Sequence, residues 1–318
     1  MMRQCSLVLL FFAGTQLTLS AAEVSSPRHK VIAADKGKIV RFDENGKVEW
    51  TTDKVRSVHK IQQLENGNLL TQQGWGKLVE INPQGKVVWQ YDSANSHGNK
   101  GKKLEVHAFQ RLENGNTMIV ENGVGRIIEV NRKGKIVHEF PFQVTKPNAH
   151  SDVRMAHKIE SGNYLVCHEA EGRVTEYNRD GKIVWEYEVP LFGKERAKGH
   201  GPEAFGNQTF NSLRLKNGNT LIATGNGHSV IEVTPSKEVV WSVHQNDLEG
   251  ITLAWVTSLE VLPNGNLIIG NCHAGPDNPQ LIEITKDKEV VWTFKDFKNL
   301  GNSTAASATV GFQADVLR

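Results

Sequence analysis

Apolar positions along this chain come in short runs of strand length, separated by turns rich in Asn, Gly, Asp and Ser. Five of the turns share one form: Asn66-Gly67-Asn68, Asn114-Gly115-Asn116, Ser161-Gly162-Asn163, Asn217-Gly218-Asn219 and Asn264-Gly265-Asn266. They lie 48, 47, 56 and 47 residues apart, so the chain is an array of units of one size. Asn-Gly tolerates the positive φ that a tight hairpin requires, and each unit therefore reads as a meander of antiparallel strands. In the second unit the pattern predicts strand A over 57–64, B over 69–73, C over 77–82 and D over 86–91.

Strand D carries its own signature, such as Gly85-Lys86-Val87-Val88-Trp89 and Gly181-Lys182-Ile183-Val184-Trp185. Five of the seven tryptophans (Trp50, Trp89, Trp185, Trp241 and Trp292) fall at its closing position, with His138 there in the third unit. Four-stranded units of this length that close on a bulky residue predict an all-β fold, a β-propeller of six four-stranded antiparallel blades. The first unit supplies only B (31–34), C (38–43) and D (47–51). The segment 309–317, ending in Leu317 as other A strands end in Leu64, Leu112, Leu215 and Leu262, is expected to pair with it, closing the ring and removing an exposed edge.

The 318 residues, 38% hydrophobic and 23% charged, are accounted for by six blades without a second domain. Arg3, the apolar stretch 7–19 and Ser20-Ala21-Ala22 predict a signal peptide over 1–22, leaving 23–318 as the propeller, exported to the periplasm or beyond the cell without a transmembrane span. A net charge of +2, with no basic stripe interleaved with aromatics, excludes nucleic acid as the expected partner. Cys167 and Cys272 sit a whole blade apart, too far for a disulfide.

The A–B and C–D turns are short and alike. The D–A connections (92–105, 141–152, 188–208, 244–255 and 295–308) are long and individual, and binding residues concentrate on such loops. Nine of the twelve histidines map toward that rim. The ends of strand B add His168 with Glu169, Asn226 with His228, and Asn271 with His273. One repeat position, seven residues before the A–B turn, holds His59, His107, Arg154, Phe210 and Thr257, with Phe312 expected to join them. The candidate ligand-binding set is therefore His59, His107, Arg154, His168, Asn226, His228, Asn271 and His273. His-x-x-x-His, Cys-x-x-Cys, His-Glu-x-x-His and Gly-x-Ser-x-Gly spacings are absent, so neither a metal site nor a serine hydrolase is expected.

The motif Asn178-Arg179-Asp180-Gly181-Lys182-Ile183-Val184-Trp185, followed by an Asn-Gly-Asn hairpin, resembles the quinoprotein-type, PQQ-like propeller repeat. With histidines seven residues before that hairpin, it is most similar to bacterial arylsulfotransferase-like propellers. The resemblance implies sulfuryl transfer between phenols through a channel histidine, with a cation holding the sulfate oxygens. The adjacent cysteine pair and eight-bladed repeat of quinone-dependent dehydrogenases are missing, and no cofactor is expected. The leading expectation is a rim that binds a small polar or anionic ligand. The alternatives are the sulfuryl transferase, its nucleophile unassigned, and a scaffold in the envelope for a protein partner.

Overall fold

The computed structural model describes residues 29–304 and 306–309. Six separate four-stranded antiparallel sheets follow one another around a ring, as the repeat requires. In blade 2 the strands are Ile61–Gln63, Leu69–Gln72, Lys77–Ile81 and Val87–Asp92, each running beside the next. The inner strands of blades 2, 3 and 4 have only three residues (Ile61–Gln63, Phe109–Arg111 and Ala156–Lys158), shorter than the pattern suggests. A side-chain amide explains the shortening in blade 2. Gln72 Oε1 accepts the backbone N–H groups of His59 (3.1 Å) and Lys60 (3.2 Å), so the chain before Ile61 is held without a strand partner.

Ring closure comes from the C-terminal side, in a different register. Strand Ala306–Thr309 pairs with Val31–Asp35, Thr309 lying opposite Val31 as Gln63 lies opposite Leu69. Thr309 thus holds the place that Gln63 holds in blade 2, whereas the sequence pattern makes Thr309 the first residue of the strand. The seam fixes this register: Asp35 Oδ2 accepts from Gly301 N (2.9 Å), Ser303 N (3.1 Å) and Thr304 Oγ1 (3.1 Å), which places the chain for pairing from residue 306. Phe312, Leu317 and the 1–22 leader lie outside the described residues. A chain ending at residue 305 would leave the edge of Val31–Asp35 unpaired. It is expected to form multimers on size exclusion or to lose its cooperative thermal transition.

The core lies between blades. Ile32, Ala34 and Ile39 of blade 1 pack with Leu69, Val79 and Ile81 of blade 2, and Leu165 and Val174 of blade 4 with Ile222 and Ile231 of blade 5. Each Val, Leu or Ile among them contributes about 1.5–3 kcal/mol. The repeated tryptophan also works across this boundary. Trp89 Nε1 donates to Arg132 O at 3.0 Å, Trp185 to Pro235 O at 3.1 Å and Trp241 to Lys286 O at 2.8 Å. Cations cover the same rings, with Arg111 4.5 Å from the centre of Trp89 and Lys286 4.7 Å from that of Trp241. Cys167 and Cys272 are free and buried. Among the described residues no helix is long and apolar enough to cross a membrane.

Candidate functional site

The repeat position seven residues before each A–B turn becomes one layer at the loop-rich end of the channel. His59, Arg154, Phe210 and Thr257 line a cavity of about 1000 Å³ there. Of the other expected residues, Asn226 and His273 also line it, and His107 sits directly behind His59, their ring centres 4.3 Å apart.

A chain of polar contacts orders this wall. The buried Arg154 donates from Nε to Glu169 Oε2 at 2.8 Å, and Nη2 is 2.6 Å from the same oxygen. Its Nη1 donates to His107 Nδ1 at 2.6 Å. A guanidinium has only donors, so His107 Nδ1 must accept and His107 Nε2 must carry the proton. That Nε2–H donates to Glu105 Oε2 at 2.9 Å, and His150 Nδ1 lies 2.8 Å from the same oxygen. His59 Nδ1 donates to Ser57 O at 3.0 Å, and its Nε2 makes no hydrogen bond to a described residue.

Glu105, His107 and His150 offer donor atoms all within 4.8 Å of one another, which resembles a metal triad. The proton arithmetic argues for a relay instead. His107 has no lone pair left for a cation, and the guanidinium behind it repels one. Burial pushes the imidazolium of His59 and of His107 well below the usual histidine range. For His59 the neighbouring His107 and Arg154 add to the effect, and for His107 Arg154 does so. Burial raises the Glu169 carboxyl against the pull of Arg154.

The rest of the wall is aromatic and apolar, beginning beside Arg154, whose guanidinium lies 5.6 Å from the centre of the Phe210 ring. Met155, Phe210, Trp255 and Cys272 form a cluster, three of them facing the cavity, and His200 stacks on Trp255 with ring centres 5.4 Å apart. At the lip stand Lys36, Lys38, Arg196 and Lys198; none of the four is ion-paired among the described residues. Asp35, which shares the lip, is engaged by the seam hydrogen bonds.

Three expected residues stand away from the cavity wall. His168 is buried between blades, its Nε2 2.9 Å from Tyr177 Oη and its ring against Phe142. His228 joins two loops, with Nδ1 2.5 Å from Ala254 O and Nε2 against Ala204 O, and holds a φ of 54°. Asn271 clamps the entry to strand A of blade 6, accepting from Ala254 N at 2.8 Å and donating to Thr252 O at 3.1 Å. Asn226, although in the wall, does the same in blade 5, accepting from Gln208 N at 2.9 Å. Glu105, His150, Arg196 and Lys198 were not singled out by the repeat, because all four lie in D–A loops without repeat constraint. The Glu105-x-His107 spacing was the one local signal.

A family model described as outer membrane protein assembly factor BamB matches residues 35–294. Comparison with curated proteins gives no match. Among solved structures, a Bacteroides caccae protein of unknown function is 23% identical, covering 89% of this chain and 99% of its own, with a TM-score of 0.73. A streptogramin B lyase is 14% identical over 86% of this chain and 85% of its own, TM-score 0.56. A catalytically inactive virginiamycin B lyase from Staphylococcus aureus with quinupristin is 12% identical over 86% and 87%, TM-score 0.55. These likenesses extend to the fold.

Proposed function

The chain belongs to the family of propellers described as outer membrane protein assembly factor BamB, and on that premise we propose that it is an exported propeller whose rim cavity binds a small anionic ligand. The observation that carries the reading is the lip: Lys36, Lys38, Arg196 and Lys198 face one cavity without an ion-pair partner among the described residues. Uncompensated cations around a concave, partly apolar site focus a positive potential on it and attract anions. Trp255, Phe210 and Cys272 offer the ligand an apolar seat in the same cavity. Export is supported by the leader pattern and by the outer-membrane description of the family.

Sulfuryl transfer is a second reading, favoured by His59. It is a neutral imidazole oriented through Nδ1, with Nε2 unbonded, in the same cavity wall as Arg154.

A thermal-shift screen of aryl sulfates, aryl phosphates and carboxylates against their uncharged isosteres tests the binding reading. Anions are expected to raise the melting temperature, less so at high salt, and release of 4-nitrophenol from its sulfate would add turnover. If no anion shifts the transition, the binding reading fails and a protein-docking scaffold takes its place.

A further inference from the structure

Next in sequence to His59 of the cavity wall, Lys60 is partly buried and lacks a counter-charge among the described residues. Its backbone is fixed at both ends, N–H to Gln72 Oε1 at 3.2 Å and carbonyl from Thr71 Oγ1 at 3.1 Å. The side chain leaves blade 2 and carries its nitrogen to 5.9 Å from the centre of the Phe109 ring, on the inner strand of blade 3. Cys167 and His157 of blade 4 are near enough to interact with it electrostatically. Nζ therefore lies among blades 2, 3 and 4, and the residue keeps partial exposure.

Phe109, Cys167 and His157 bring that nitrogen no counter-charge at pH 7. Phe109 is apolar. The Cys167 thiol, which donates to Ser212 Oγ at 3.1 Å, is pushed up to about 12 by burial. His157, with Nε2 3.0 Å from Asn211 Oδ1, is pushed down to about 3 by burial and by Lys60 itself. Among the described residues the Lys60 nitrogen has neither an ion pair nor a hydrogen-bond acceptor. An ammonium so placed has only the face of Phe109 to offset its desolvation, and shedding the proton removes the cost. Desolvation brings the group down to about 7.

We propose that Lys60 is a reactive amine that condenses with a small aldehyde or 2-oxo acid to form an imine. The nitrogen lone pair attacks the carbonyl carbon, and the carbonyl oxygen takes up a proton to give a carbinolamine. Loss of one water then leaves the carbon–nitrogen double bond, with no change of oxidation state. The site stands independently of the anion reading, since it uses none of the lip residues.

Glyoxylate with cyanoborohydride at pH 7, followed by peptide mapping of the full chain, tests the proposal through the carboxymethyl mark left on each lysine. At this pH Lys60 presents far more free amine than surface lysines such as Lys133 and Lys216, and it is expected to be marked about a hundredfold faster. Its labelling rate should rise with pH through a midpoint near 7. Unfolding in urea should abolish the advantage, and Lys60→Met should keep the fold and lose the fast site. Labelling of Lys60 in the folded protein no faster than of Lys133 and Lys216, or a fast rate that survives unfolding, would overturn it.

Discussion

Arg154→Met is expected to cost about 3 kcal/mol or more in a urea unfolding experiment, the largest loss of any single change in the cavity wall. The guanidinium neutralises the buried Glu169 through contacts of 2.8 and 2.6 Å and sets the His107 tautomer through a third of 2.6 Å. Without it, Glu169 is a carboxylate in an apolar site and must take up a proton to stay there, which burial already favours. His107 loses the donor that keeps Nε2–H on Glu105, and the hold on His150 loosens with it. Arg154→Met combined with Glu169→Leu removes both charges and is expected to recover most of the loss. A double mutant no more stable than the single one would show that the ion pair is not the source of the cost.

Acid is the second large perturbation. His168, fully buried, is held down to about 3 by burial, then by Arg173; His157 is at about 3, and His59 and His107 lie well below the usual range. The unfolded chain protonates these rings near 6.5 while the native state does not. Stability is therefore complete above that pH and is lost as pH falls from 6.5 toward 3. His168 alone accounts for about 2 kcal/mol by pH 5. The carboxyls of Glu80, Glu129 and Glu232, held below their usual value by Lys, Arg and Asn partners, add their losses only at lower pH. Calorimetric melting should fall steeply between pH 6.5 and 5, and His168→Phe should flatten the slope. A melting temperature level across that interval would contradict the assignment of neutral buried imidazoles.

What could be read from the chain follows from what its repeats constrain. Turn chemistry and the closing tryptophan are dictated unit by unit, and both the six blades and the bonds from Trp89, Trp185 and Trp241 to the next blade follow from them. The same regularity gives His59, Arg154, Phe210 and Thr257 one repeat position, and all four line one cavity. Amides at the ends of strand B are equally regular, but Gln72, Asn226 and Asn271 spend hydrogen bonds on the backbone entering strand A. Polarity at a rim does not by itself separate a clamp from a ligand contact. Glu105, His150, Arg196 and Lys198 come from loops whose course depends on packing against distant residues, and beyond Glu105-x-His107 no spacing announces them; Lys36 and Lys38 sit at the B–C turn of blade 1, where nothing in the repeat marks them. The seam register was missed for a related reason: Asp35 and the turn at Gly301 set it, 266 residues apart in sequence.

The central claim, an anion held at the cationic lip, is tested most directly by calorimetric titration of 4-nitrophenyl sulfate into the wild-type chain and into Arg196→Glu/Lys198→Glu. Both residues are exposed loop positions, so the double change should leave the fold intact. Binding at one site per chain, weakened at least tenfold by the double reversal and by raised salt, is the expected result. Equal affinity in the two proteins, or no binding to either, would contradict it.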